Sequence, residues 1–434
     1  MNLTVKGNKF LEKIGVNTLN DMQIKMREAY SENDELILLS PTGSGKTLAF
    51  LIPILENLNP SLKEVQALIV VPARELAIQI ENVLRNMGTG FKVDAVYGGR
   101  DGAKDKILLS QPPAILIGTP GRLLSHIERE NFDHTYVETL VLDEFDKSLQ
   151  LKFDDEMSAI LEALTAVKKK VLTSATFGVE VPDFVGLKSP KELRFENAEN
   201  SKLETYIVDT AGEGRDDVLI DLLASLENAP GIIFCNYKDT VDAVSQELAY
   251  HKIDHVCFHG GLEQKDRERA LIQFRNGSCS VLVATDLAAR GIDIPDLKYI
   301  IHYQLPYTEE DFIHRNGRTA RMAKEGRAFI LKTKQPLYDF ISGEDYAVPD
   351  SKRSIEPTGW KTIFISGGRK DKISKGDIVG LLTKTVGIPG DAIGVIELKR
   401  DCAFVGIRTA HIKQVVSKAN NVRLKKKKVR VSQL

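Results

Sequence analysis

Short, nearly continuous aliphatic runs punctuate the chain. In the first half they fall at 35–40, 67–71, 93–98, 114–119, 139–144 and 170–175. A second series falls at 205–209, 231–236, 255–259, 280–285, 299–304 and 327–332. Runs this short, without polar alternation, predict strands covered on both faces, as in parallel sheets. Helical spacing of apolar residues separates them, for instance over 75–87, 153–167, 240–250 and 265–274. The pattern predicts two successive α/β domains with doubly wound parallel sheets, over 1–197 and 204–341. Polar, irregular chain near 195–202 joins them, and residues 342–359, rich in Gly, Pro, Ser and charge, read as a second linker. Beyond it, over 360–434, the pattern changes to strand 362–366, helix 375–385, strands 393–398 and 402–407, helix 410–419 and strand 422–431. That order, βαββαβ, predicts a small α+β sandwich.

Composition narrows the class. Of the 434 residues 42% are hydrophobic and 27% charged, which excludes a largely disordered chain. Cys235, Cys257, Cys279 and Cys402 form no Cys-x-x-Cys pair and read as buried free thiols of a reducing compartment. His251, His255, Cys257 and His259 are closely spaced, but they straddle a helix end, a turn and a strand, so a metal site is not expected. No apolar run approaches the about 18 residues of a membrane helix, and the first residues lack a signal-peptide core. A cytoplasmic protein without membrane attachment is the expectation. Net charge is −1, yet from Thr358 onward Lys and Arg number 17 against 5 Asp and Glu. A basic C-terminal segment on an acidic body predicts a polyanionic partner for that segment.

The chemistry begins at Ser40-Pro41-Thr42-Gly43-Ser44-Gly45-Lys46-Thr47, which follows a strand and opens a helix. Glycines let backbone amides turn inward around phosphates; Lys46 can reach the outer phosphates and the Thr47 hydroxyl can hold Mg2+. Thr42, Gly43, Ser44, Gly45, Lys46 and Thr47 are therefore the candidate nucleotide cradle. Asp143-Glu144-Phe145-Asp146 ends another strand, where ligands of open α/β sheets sit. Asp143 is the candidate metal carboxylate and Glu144 the candidate base for an attacking water. Ser174-Ala175-Thr176 ends a third strand and gains meaning only from these neighbours.

Together these residues resemble the DEAD-box RNA helicases of superfamily 2. Gln23 stands at the family's adenine-reading position. Pro72-Ala73-Arg74-Glu75-Leu76-Ala77, Gly98-Gly99 and Thr119-Pro120-Gly121-Arg122 match successive motifs. Gln264 with Arg267, Ala284-Thr285-Asp286 with Arg290-Gly291-Ile292-Asp293, and the run from His314 to Arg321 match the later ones. Phe145 replaces the name-giving Ala of the tetrad, Val16 and Leu19 replace a usual Phe and Pro near Gln23, and Gly261 and Ala320 are further departures. In the last segment, the runs 363–370, 375–378 and 391–394 resemble the RNA-binding domain of the bacterial DbpA helicases, an RNA-recognition-motif-like fold.

The resemblance implies two tandem RecA-like domains followed by this RNA-binding domain, and an RNA-dependent ATPase using ATP and Mg2+. It implies nucleotide contacts from Gln23 and Asp293, with Lys46, Glu144, Arg318 and Arg321 serving hydrolysis. RNA contacts are expected from Arg74, Gly98, Gly99, Thr119, Arg122, Gln264, Arg267, Thr285 and Arg290. Asp146, Ser174, Thr176, His314 and Arg315 are expected to couple nucleotide state to RNA grip. Arg369, Lys370, Lys372 and Lys425 are candidates for RNA contact by the basic module. The implied partner is large-subunit ribosomal RNA or pre-ribosomal particles, engaged by a monomer in ribosome assembly. Two other readings share the frame: an ATP-gated RNA clamp with little unwinding, and a cold-response or RNA-decay helicase with another target.

Overall fold

The computed structural model describes residues 10–41, 43–99, 102–178, 180–195, 203–210, 214–286, 297–319, 325–349 and 355–434. The chain divides into two compact units near residue 201. The first unit holds β1 (Glu35–Leu39), β2 (Ala67–Val70), β3 (Val93–Val96), β4 (Ile115–Gly118), β5 (Thr139–Leu142), β6 (Lys169–Ser174) and β7 (Lys191–Arg194). They form one sheet in the order β3-β4-β2-β5-β6-β1-β7, and every pairing is parallel. The apolar runs are strands because both faces are covered. Leu36, Leu38 and Ile69 pack with Met26, Phe50 and Ile80 on one side. Leu68, Val70 and Leu142 pack with Leu123, Phe145 and Ile160 on the other. Phe145 is 2% exposed within that second core, which is how the fold accommodates its bulk next to the acidic residues.

The second unit repeats the architecture. Strands β8 (Leu203–Asp209), β9 (Gly231–Cys235), β10 (His255–Phe258), β11 (Val281–Thr285), β12 (Tyr299–His302), β13 (Gly326–Lys332) and β14 (Glu344–Asp345) order as β10-β11-β9-β12-β13-β8-β14, again all parallel. Position by position this is the order of the first sheet, with β10, β11, β9 and β12 standing where β3, β4, β2 and β5 stand. The segment read as a linker is partly built into this unit. β14 pairs with β8, and Tyr346, Val348 and Ile355 pack against its core.

The C-terminal part of the second unit has an antiparallel sheet, β16-β17-β15-β20, from β15 (Trp360–Ile365), β16 (Ile393–Leu398), β17 (Ala403–Arg408) and β20 (Val431–Gln433). Helical segments Lys375–Gly380 and Ile412–Ala419 cover one face, where Ile363, Ile365, Val405, Ile378 and Val415 are buried together. The single strand expected over 422–431 is instead a hairpin, β18 (Arg423–Leu424) with β19 (Lys427–Lys428), followed by β20. Lys425 adopts φ +56 at its turn, a left-handed conformation that no extended strand allows.

The other face of this sheet lies against the α/β part of the same unit. Thr362 Oγ1 is 2.7 Å from Ser278 Oγ and accepts from Asn276 Nδ2 at 3.3 Å. Lys361 pairs with Asp254 at 2.9 Å and Arg275 with Glu397 at 3.5 Å. A Cβ at Gly406 would meet Asn276 O at 3.4 Å. Trp360 packs beside Gly277 and Gly394 and carries the Arg408 guanidinium 4.3 Å over its ring.

Candidate functional site

Parallel strands send all their carboxyl ends to one edge of the sheet, and the strand order decides which motifs meet there. In the first unit β5, β6 and β1 are neighbours. The phosphate-loop residues, the acidic tetrad and Ser174-Ala175-Thr176 are therefore side by side, although Lys46 and Asp143 stand at far-separated positions of the chain. Gly45 caps the helix Lys46–Asn57 at φ +95, in the left-handed region open to glycine, with no side-chain cap on the helix. The first amides of that helix are left for an anion. The buried Ser44 hydroxyl has no hydrogen-bond partner among the described residues. Lys46 is 9% exposed and donates to the carbonyls of Ser40 and of Pro41, the latter at 2.9 Å. An orphan hydroxyl, an uncapped helix start and a buried ammonium fit a polyphosphate. Thr42 lies outside the described residues.

Asp143 is 3% exposed and takes a hydrogen bond from Thr173 Oγ1. Its carboxyl is pushed up to about 6, first by burial and then by neighbouring Glu144, against the Thr173 hydrogen bond and Lys46. A buried carboxylate whose charge is costly alone suits a cation; with the Thr47 hydroxyl it offers the oxygen donors that Mg2+ prefers. Glu144 sits at φ +48, ψ +50, left-handed for a residue with a side chain. Its amide is held by Asp143 Oδ1 and Thr173 Oγ1 at 3.1 and 3.2 Å. Such backbone strain, kept in place by specific bonds, is characteristic of functional sites. Thr176 Oγ1 donates to Asp146 at 2.8 Å, and Thr176 N donates to Ser174 Oγ at 2.9 Å. The structure thus brings Asp146, Ser174 and Thr176 into one chain of hydrogen bonds.

Gln23 is placed differently from a free base reader. It closes a capping box with Asn20 at the start of the helix Asp21–Glu32. Its Nε2 also donates to Gly45 O at 3.3 Å, while Asn20 Nδ2 donates to Ser44 O at 3.0 Å. Both side chains are tied to the phosphate loop.

The other half of the edge, at β3, β4 and β2, gathers the remaining candidates. Gly99 has φ +82, and a Cβ there would stand 2.7 Å from Arg74 Nη1. The glycine pair Gly98-Gly99 lets the Arg74 guanidinium lie on the backbone. Thr119 is the N-cap residue of the helix Pro120–Glu128. Arg122 is held by Asp105, fully buried, through Nε at 3.0 Å and Nη2 at 2.7 Å.

In the second unit Gln264 opens the helix Gln264–Arg275, and Arg267 is buried 5.2 Å over the Phe258 ring. Thr285 ends β11. Arg315 is 1% exposed and uses every donor within this unit: Asp286 twice at 2.6 Å, Gln304 O at 2.6 Å, Asn236 Oδ1 at 2.8 Å and His302 Nδ1 at 3.4 Å. It clamps the carboxyl ends of β11, β9 and β12. His314 and Arg318 are buried beside it, at 7% and 6% exposure. Arg290, Asp293 and Arg321 lie outside the described residues.

In the C-terminal part Arg369, Lys370 and Lys372 are exposed on one loop. Asp371 takes a bond from Lys427 at 2.9 Å, and Asp377 pairs with Lys425 at 3.0 Å. These ties hold the hairpin against that loop, so two basic runs over fifty positions apart share one patch. Hydrogen bonds from Ser374 and then Lys425 hold the Asp377 carboxyl down at about 2, so this tie persists through the physiological range. The Asp371 carboxyl is lowered in the same way, Lys427 first.

Sequence reasoning missed Asn20, Thr173, Asn236 and Asp105. Asn20-x-x-Gln23 carries a capping-box signature that could have revealed the first. Thr173 directly precedes the quoted Ser174 motif on β6. Asp105 gave no local signal.

Comparison with known proteins shows the family and the order of its domains. Residues 20–184 match the DEAD/DEAH box helicase family, 214–323 the helicase conserved C-terminal domain and 362–433 the DbpA RNA binding domain. The ATP-dependent RNA helicase DbpA of Escherichia coli is 31% identical over 97% of this chain and 95% of its own length. DbpA of Bacillus subtilis is likewise 31% identical, over 97% and 96%. Dbp5 of S. cerevisiae, solved bound to RNA and ADP BeF3, shares the fold with a TM-score of 0.71 at 24% identity, over 80% of this chain and 95% of that one. With two parallel α/β sheets and the C-terminal domain in place, this chain belongs to the DEAD-box helicases and is an ATP-dependent RNA helicase of the DbpA type.

Proposed function

We propose that the enzyme remodels large-subunit ribosomal RNA during ribosome assembly, as a cytoplasmic monomer, and that its C-terminal patch delivers it there. The observation that carries this reading is the convergence of Arg369, Lys370, Lys372 and Lys425 on one basic face of a DbpA-type domain. Contacts of this kind read RNA through phosphates and shape. At the nucleotide half, Lys46 and the loop amides would hold the phosphates, with Asp143 and Thr47 holding Mg2+. When bound, the ion offsets charge on the phosphate oxygens. Glu144 would orient and deprotonate the attacking water. Arg318 and Arg321 would offset charge on the transferred phosphoryl group, a contribution that reaches about 10³–10⁵ in rate elsewhere. Arg74, Gly98, Gly99, Thr119, Gln264, Thr285 and Arg290 would follow the RNA backbone; Arg122, half-buried against Asp105, and Arg267, buried over the Phe258 ring, would shape that surface.

The test is steady-state ATP hydrolysis with no RNA, with generic single-stranded RNA and with large-subunit ribosomal RNA. Stimulation should be strongest with ribosomal RNA, and equal stimulation by every RNA would remove the address. Glu144→Gln should lower RNA-stimulated hydrolysis by about 100-fold or more while nucleotide still binds. Unchanged hydrolysis would refute the assignment of Glu144.

A further inference from the structure

Two tyrosines stand exposed where the carboxyl ends of β9 and β12 meet. Tyr237 is 55% exposed and Tyr307 60%, and their hydroxyls are 2.5 Å apart. Large rings so open to water at the tip of a well-packed sheet are not explained by the core. Nor are they loosely held. Asn236 N donates to Gln304 Oε1 at 2.8 Å and Asn236 Nδ2 to Leu305 O at 2.9 Å, binding the two tyrosine-bearing loops together. Asn236 Oδ1 accepts from Arg315, itself fixed by Asp286. The loops that carry the pair are thus fixed to each other and to the sheet, and more than half of each tyrosine is open to solvent.

The repeated topology says which half of the edge it occupies. β9 holds in the second sheet the place of β2 in the first. Ala73 is the N-cap residue of the helix after β2, with Arg74 next; Tyr237 is the N-cap residue of the helix after β9, with Lys238 next. Cys235, at the end of β9, is in register with Thr285, at the end of β11. The exposed Lys238 extends its stem to within 3.8 Å of a Cβ at Gly261, three positions before Gln264. Tyr237 therefore adjoins the line of polar and basic groups assigned above to the RNA backbone. The groups assigned to the RNA backbone include no aromatic ring; this pair supplies two, with the Lys238 cation beside them.

We propose that Tyr237 and Tyr307 form a stacking platform for one unpaired base of the bound RNA strand, next to the phosphates held by the second unit. This deepens the RNA-remodelling reading and rests on it. A base held on the rings is withdrawn from its duplex partner, so the platform favours the separated strand. Stacking on aromatic side chains tolerates any base, in keeping with contacts that otherwise follow the backbone.

The experiment uses the full chain, a non-hydrolysable ATP analogue and a fluorescent single-stranded RNA, intact or with one abasic position moved along it. Wild type should lose about tenfold in affinity when the abasic site reaches the platform. Tyr237→Ala and Tyr307→Ala should bind intact RNA about tenfold more weakly and no longer respond to that abasic site. Tyr237→Phe, which keeps the ring and removes one hydroxyl, should keep most of the abasic response. RNA-independent hydrolysis should be unchanged in all three, which separates a lost platform from a misfolded unit. Alanine variants that bind intact and abasic RNA in the wild-type ratio would overturn the proposal and leave the pair to a protein partner. Wild-type enzyme that failed to bind RNA at all would remove the underlying RNA-remodelling reading instead.

Discussion

His302 ends β12 with no exposure, its Nε2 3.1 Å from Asn316 Oδ1 and its Nδ1 facing Arg315. Burial foremost, and then the Arg315 charge, depress its pKa from 6.5 to about 3. The folded unit thus keeps the ring neutral while the unfolded chain protonates it. Stability from this group is complete above about pH 6.5 and is lost progressively as pH falls toward 3. At pH 5.5 the loss is about 1.4 kcal/mol. His302→Gln keeps an acceptor and a donor but does not titrate, so it should flatten this dependence. Hydrogen exchange of β12 amides, compared between wild type and variant at pH 7.5 and 5.5, measures it. Parallel behaviour of the two proteins would mean that other groups govern acid stability. Phe145 shows the same logic without charge: the helicase tetrad tolerates it because the side chain enters the second core and the flanking carboxylates keep their bonds.

At the scale of the element, the helix Asp21–Glu32 does more than present Gln23. Its first residues bind the phosphate loop through Asn20 Nδ2 and Gln23 Nε2. Asn20→Ala removes one tie and the helix cap, each a contribution of about 1 kcal/mol. Because that tie acts on the loop and not on the base, KM for ATP and for GTP should rise together, by about fivefold. Gln23→Ala should raise KM for ATP further than that for GTP if the amide also reads adenine. Equal rises would leave Gln23 as a loop tie alone. Elements with apolar runs were legible in the sequence because both of their faces are buried. β7 and β14 were not, since Lys191–Arg194 and Glu344–Asp345 are polar strands at sheet edges. The motif residues at strand ends were legible one by one. Their partners were not: Arg122 meets Asp105 from 17 positions away, and Arg315 meets Asp286 from 29, with no local spacing to announce either pair.

At the scale of the molecule, the basic module is docked as well as tethered. A free tether would raise local RNA concentration without fixing direction. Here the sheet face opposite the module's helices is closed by Asn276, Gly277 and Ser278, and two ion pairs, Lys361–Asp254 and Arg275–Glu397, flank the seam. The patch of Arg369, Lys370 and Lys372 is thereby held at a set place on the second unit, and RNA gripped there, as proposed, would meet that unit's edge in one register. Gly406→Arg tests whether the register matters. Its side chain would have to enter the space of Asn276, whereas the module's own core lies on the other face and stays intact. Hydrogen exchange of residues 273–279 should rise, confirming release. Hydrolysis stimulated by generic RNA should stay within about twofold of wild type, while half-saturation by large-subunit ribosomal RNA should need about tenfold more RNA, as fixed docking reverts to a flexible link. Release with unchanged response to ribosomal RNA would show that the chain through 342–359 suffices as a tether, and that the seam serves stability alone.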